Sequence, residues 1–268
     1  MITKVLINGS ESDGTISVTD SSVLRGDGCF EVLRARSGRV FALDDHLDRL
    51  AKSARILEIP LPSPEDLDQW IRSVAESGGD VAVRVVVTRG SSIHGVHGEP
   101  LTIVFGHSIT REEGPTTLLP VPAPWHAAGQ PWDLAGAKIL SYAPNMSATR
   151  RAVAEGFGDA LLLTVDDVML EGPTFSVAWV IAGVVETPSL DLGILDSITR
   201  RVMLEIAAEL DLDVREGEWT LDRLELADEV MALSTIREIQ PVAAVGRRTF
   251  VEGPVASNLS RHFAQRVR

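Results

Sequence analysis

Hydrophobic residues along this chain recur with two periods, and the switch between them marks its elements. Met1 to Gly9 reads as a short strand and turn, and the run CFEVLRAR between Gly28 and Arg36 predicts a strand. From Asp44 to Ile59 the spacing becomes helical, with Leu47, Leu50, Ala54 and Leu57 on one face. VAVRVVVT at 81–88 is β-branched and fits a buried strand, and LTIVFG at 101–106 fits another beyond a glycine-rich loop from Gly90 to Gly98. Further on, DALLLTV and VMLEG flank Asp166-Asp167 in hairpin fashion and SVAWVIAG follows. Ser197 to Leu210 is amphipathic through Ile198, Val202, Ile206 and Leu210. Both halves mix α and β.

Between Thr110 and Pro131 the composition shifts to Gly, Pro and Thr, with five prolines, which predicts a linker. The domains expected are therefore residues 1–112, a linker over 113–131, and residues 132–268. A chain of 268 residues, 44% hydrophobic, supports two cores of this size. The net charge of −13 repels nucleic-acid backbones and anionic membranes, so neither is an expected partner. One cysteine, Cys29, excludes an internal disulfide and reads as a small buried hydrophobe. No Cys/His spacing suggests a metal. The N-terminus lacks signal-peptide features and no apolar run is long enough to span a bilayer, so a cytoplasmic location is expected.

Past the first few residues the only lysines are Lys52 and Lys138. Lys52 falls on the helix with HLDRL, where a solvated position is the plain reading. Lys138 lies between an apolar stretch and ILSYAPN, where burial would depress its pKa and make it a nucleophile and base; a snorkelling surface lysine is the alternative. Glu171 precedes Gly172 and Pro173 and by itself reads as a turn carboxylate. Glu112-Glu113 and Asp166-Asp167 read as a solvated linker and a turn.

Four patterns occur in order: RGDGCFEV at 25–32, HLDRL at 46–50, AKILSYAPN at 137–145 followed by LEG at 170–172, and ITR with LST further on. Together they resemble the class-IV aminotransferases, a family that includes D-amino-acid and branched-chain aminotransferases and 4-amino-4-deoxychorismate lyases. The resemblance spans roughly residues 5 to 245. It implies a two-domain fold-type IV enzyme, α+β / α/β, with a small N-terminal α/β domain and a larger pseudo-barrel C-terminal domain. It further implies pyridoxal 5'-phosphate as cofactor and a homodimer with the pocket near the subunit interface.

On this resemblance Lys138 carries the cofactor as a Schiff base and later moves the substrate α-proton, while Glu171 binds the pyridine nitrogen. The phosphate falls to Ser197, Ile198 and Thr199 at a helix start, to Ser234 and Thr235, and to Arg49 from the first domain. Tyr142 matches the place where some relatives set a tyrosine against the cofactor's phenolic oxygen. His46, on the helical face of Arg49, reads as a packing histidine, or one that orients a neighbour, rather than a base. Ser141, Ser176 and Ser197 depart from the asparagines and glycine usual in relatives.

A substrate carboxylate calls for arginine. On a strand over 30–36, Phe30, Val32 and Arg34 share one face, which the resemblance turns toward the pocket, with Glu31 pointing away. Arg25 precedes GDG and Arg89 follows the strand at 81–88; the second also fits a loop-stabilising role. D-amino-acid aminotransferases of the best-known kind carry an arginine and a histidine two residues apart in the next loop, which here reads SSIHGVHGEP, with His94 and His97 but no arginine. Glu31-Val32 differs from the paired threonines of the lyase. The function expected is transfer of an amino group between an amino acid, D-configured by resemblance, and a 2-keto acid. The alternatives are 4-amino-4-deoxychorismate lyase, branched-chain aminotransferase, and a protein that binds the cofactor without turnover.

Overall fold

A computed structural model describes residues 1–109 and 114–267, and they divide into two units. Glu112 and Glu113, with the start of the expected linker, lie outside the described residues.

The first unit holds an antiparallel sheet of β1 (Ile2–Ile7), β2 (Ser10–Glu11), β3 (Gly28–Arg36), β4 (Arg39–Val40), β5 (Asp80–Thr88) and β6 (Leu101–Ser108), in the order β2-β1-β6-β5-β3-β4. Its helices are α1 (Ser21–Arg25), α2 (Leu43–Ile56) and α3 (Pro64–Ala75). Strand alternation sends Cys29, Leu33, Val81, Val83, Val85 and Val104 into a core shared with Leu50, Ala54, Leu67 and Ile71 of α2 and α3. The intervening positions take the opposite face: Phe30 is paired with Val86, Val32 with Arg84, Arg84 with Phe105 and Ala82 with His107. Helix α2 stops short of Ile59 because Glu58 turns left-handed, at φ 54°.

The second unit contains β7 (Thr116–Pro122), α4 (Ala143–Ala154), β8 (Asp159–Leu163), β9 (Ser176–Ile181), β10 (Val184–Pro188), α5 (Ile198–Glu209), β11 (Val214–Gly217), β12 (Glu229–Ser234), β13 (Glu238–Val245), β14 (Arg248–Thr249) and α6 (Pro254–Arg266). Its sheet runs β11-β10-β9-β12-β13-β7-β8, with β14 on β13. A bridge between Val168 and Thr220 joins the chain after β8 to the chain after β11, which draws the two ends of this path together as a pseudo-barrel. Trp179, Leu118, Leu161, Met169, Val177 and Val230 fill the core. Asp166 and Asp167 lie in the expected turn, with Asp167 at φ 61°, and the chain beyond it returns along β8 through the Leu163–Met169 bridge and backbone bonds from Leu170 N–H to Leu162 O and from Leu162 N–H to Glu171 O, without forming a regular second strand.

Two boundaries need correction. The stretch read as a linker contains β7, which pairs in parallel with β13 over Thr116–Leu118 and with β8 over Leu118–Pro122. Pro120 and Pro122 fall where the pairing with β13 has ended, so a strand with one neighbour tolerates their missing N–H groups. Residues 137–142, assigned by sequence to the second domain, belong to the first unit. Their backbone runs against the start of β3: Phe30 N–H donates to Lys138 O at 3.0 Å and Leu140 N–H to Gly28 O at 2.9 Å. A Cβ on Gly28 would lie 2.4 Å from Val87 O and 2.7 Å from Leu140 Cδ1, so only glycine lets this segment and β5 approach together.

Candidate active-site residues

In the first unit Lys138 is half-buried and is held by its backbone. Besides the bond from Phe30, its N–H donates to Ser53 Oγ of α2 at 3.0 Å. Its Nζ stands 4.5 Å from the centre of the Phe30 ring, which meets Tyr142 edge-on at 5.3 Å. Phe30, Tyr142 and the lysine amine therefore gather on the sheet face opposite the helices.

Beneath the sheet lies a buried ionic cluster. Arg49 donates to Glu31 through Nε and Nη2, each at 2.7 Å, and His46 Nδ1 lies 2.8 Å from Glu31 Oε2. Burial alone would raise the Glu31 pKa; the Arg49 charge and the hydrogen bonds from Arg49 and His46 outweigh it and hold it at about 2. Burial lowers the pKa of His46, with Glu31 opposing and Arg49 and Lys138 adding to the shift. The neutral ring then donates from Nδ1 and leaves Nε2 without a partner among the described residues. His46 is thus the packing and orienting histidine expected. Two of the donors of Arg49, read as a phosphate ligand, serve Glu31, a relation that no spacing rule exposed.

The arginines read as substrate ligands are otherwise engaged. Arg34 forms a fork with Asp80, at 2.9 and 2.5 Å, at the far end of β3 and β5. Arg89 binds Asp27 at 2.6 Å and donates to Leu57 O at 2.7 Å, so it ties a loop and the end of α2 together. Arg25 is exposed and donates to the carbonyls of Ser92 and Ile93. Strand pairing instead brings forward Arg84, which was not among the sequence candidates. It shares the face of Phe30 and Val32, has His107 Nε2 at 3.3 Å from its Nε, and has no carboxylate partner among the described residues. Burial lowers its pKa below the ordinary arginine range, with Tyr142 opposing. A guanidinium that is desolvated without a counter-charge is suited to an incoming carboxylate.

In the second unit Glu171 accepts from Leu195 N–H, 3.3 and 3.4 Å from its two oxygens, with His126 Nε2 3.8 Å away. Ser197 caps α5, its Oγ accepting from Arg200 N–H, which explains how serine serves at this position. Ile198 and Thr199 form the first turn, both buried, and the Thr199 hydroxyl has no partner among the described residues. Ser234 closes β12 and accepts from Arg237 N–H at 3.1 Å, with Thr235 following in the turn.

These features fit a phosphorylated pyridine aldehyde. A helix N-terminus beside an orphaned buried hydroxyl suits a phosphate, and a carboxylate held by one backbone amide, with acceptor capacity left over, suits a protonated ring nitrogen. The family model for class IV amino-transferases matches residues 28–245. A putative branched-chain-amino-acid aminotransferase of Methanocaldococcus jannaschii is 32% identical over 91% of this chain and 88% of its own. A bifunctional aminodeoxychorismate lyase / D-amino acid transaminase of Mycobacterium tuberculosis is 30% identical over 80% of this chain and 84% of its own. A fold IV-transaminase of Curtobacterium pusillum superimposes with a TM-score of 0.85 at 28% identity, over 94% of this chain and 92% of that one. The chain belongs to the class IV aminotransferases and is a pyridoxal 5'-phosphate-dependent enzyme of that fold.

Proposed function

We propose that this enzyme is a transaminase that moves the amino group of an amino acid, D-configured, to a 2-keto acid. The cofactor supplies an aldehyde and an electron-withdrawing ring, and Lys138 is the residue we assign to the aldehyde and to proton movement at the substrate α-carbon. Glu171 would bind the ring nitrogen, Thr199 and the first turn of α5 the phosphate with Ser197, Ser234, Thr235 and Arg49, and Tyr142 would stand near the ring. Arg84 takes the substrate carboxylate in place of Arg25, Arg34 and Arg89.

The observation that carries this reading is the placement of the Lys138 amine 4.5 Å over the Phe30 ring, on the sheet face that also bears Arg84. An amine and a guanidinium on one apolar face suit an amino acid, whose carboxylate the guanidinium can bind, better than an amine that has no carboxylate. The D-configuration is supported by the motif resemblance and by the name of the mycobacterial relative. A second reading, an aliphatic L-amino acid as donor, is supported by the archaeal relative and by Val32, Val86 and Ile103 around Arg84. Half-reactions with D-alanine, D-glutamate, L-leucine and 4-amino-4-deoxychorismate test these readings. Keto acid from the D-amino acids is expected; keto acid from L-leucine alone would select the second reading, and pyruvate with 4-aminobenzoate from the last compound alone would make the enzyme a lyase.

We also propose a cytoplasmic homodimer. Exposed Val18, Val23, Leu24, Ile93 and Val96 of the first unit supply apolar surface for a second copy. Sedimentation as a monomer at micromolar concentration would remove the dimer.

A further inference from the structure

We propose that His126 is a positioning residue for Glu171, fixing that carboxylate in the orientation that receives the cofactor's pyridine nitrogen; this rests on the cofactor reading above. The tautomer of His126 is set by the backbone. Ala128 N–H donates to His126 Nδ1 at 3.1 Å, and because an amide can only donate, Nδ1 must be the bare nitrogen. The neutral ring then carries its proton on Nε2, the nitrogen 3.8 Å from Glu171 Oε1. That separation is too long for a hydrogen bond but within range of electrostatic attraction.

Among the described residues Glu171 accepts from the amide of Leu195 and faces the imidazole N–H, so its two oxygens are held from both sides. Both side chains are mostly buried, at 12% and 16% exposure, where an electrostatic contact acts more strongly than in water. The loop is built to hold this arrangement. Ala128 adopts φ 50°, a left-handed conformation unusual for alanine, and in doing so presents its N–H to the ring. Gly129 N–H donates to Leu192 O at 3.0 Å, anchoring the loop beside the segment that supplies Leu195. On the other flank Trp125 Nε1 donates to Asn145 Oδ1 at 2.9 Å, and Asn145 Nδ2 to Pro173 O at 3.4 Å, two residues beyond Glu171. Strain, anchor and strut converge on one carboxylate.

The test uses holoenzyme loaded with cofactor labelled with 15N in the ring, and reads the protonation of that nitrogen by NMR at fixed pH. Wild type and His126→Gln, whose amide can stand in for Nε2–H, should give the protonated signal. His126→Phe should shift it toward the neutral value and slow the amino-acid half-reaction about tenfold. Because His126 acts through Glu171, the double variant His126→Phe/Glu171→Gln should be no slower than Glu171→Gln alone. An unchanged ring-nitrogen signal in His126→Phe, or losses that add in the double variant, would overturn the proposal. Wild-type protein without Lys138-dependent visible absorbance would instead overturn the cofactor reading, so the two failures are distinct.

Discussion

Arg49 grips Glu31 through two nitrogens, each at 2.7 Å, on the buried side of the sheet that carries Phe30 on its opposite face. Glu31, which the motif offers as a mark of an aminotransferase, is thereby the keystone of the α2–β3 contact. Glu31→Gln would remove the carboxylate charge that the buried Arg49 guanidinium bonds through two nitrogens and should destabilise the fold by about 3 kcal/mol, read by urea unfolding. A change under about 1 kcal/mol would mean that the cluster is not an energetic unit.

The same cluster sets the acid limit. His46 is held neutral in the fold, so its contribution is complete above its usual value of 6.5 and is lost as pH falls below it. Glu31 is depressed from 4.5 to about 2, so its contribution is present above 4.5 and disappears as pH falls toward 2. Stability should therefore decline in two stages, and His46→Leu should remove the first. A single decline confined to pH below 4.5 in the wild type would exclude His46 from the acid response.

Arg84→Ala should raise KM for amino acids about tenfold or more relative to that for 1-phenylethylamine, as loss of a charge-assisted carboxylate bond requires. Arg25→Ala, which removes only bonds to the carbonyls of Ser92 and Ile93, should change both amines alike. The reverse pattern would return the carboxylate to Arg25.

Thr199→Val should weaken cofactor binding about tenfold while leaving the apo protein as stable or more so. The sign follows from the hydroxyl having no partner to lose among the described residues, in a buried position where an unsatisfied group is unfavourable. Apo protein that loses stability without loss of cofactor affinity would make Thr199 a structural residue.

The strands β3, β5 and β6 and the helices α2 and α5 were legible because each shows an uninterrupted period in one face of its sequence. Strand β7 was not, since prolines that signal a linker are compatible with a strand paired on one side. Lys138, Glu171 and Thr199 could be nominated from ordered motifs, whereas the ties that decide between candidate arginines could not. Arg34, Arg84 and Arg89 differ in partners supplied by Asp80, His107 and Asp27, up to 62 positions away in the chain. His126 was hidden for a related reason: its meaning depends on Ala128 adopting an improbable φ, which composition does not encode.

The most direct test of the account is to reduce the holoenzyme with borohydride and map the modified peptide by mass spectrometry. The phosphopyridoxyl mass should reside on Lys138 alone, and Lys138→Ala protein should neither absorb in the visible nor acquire the label. Label on Lys4 or Lys52, or a Lys138→Ala enzyme that still transaminates, would contradict it.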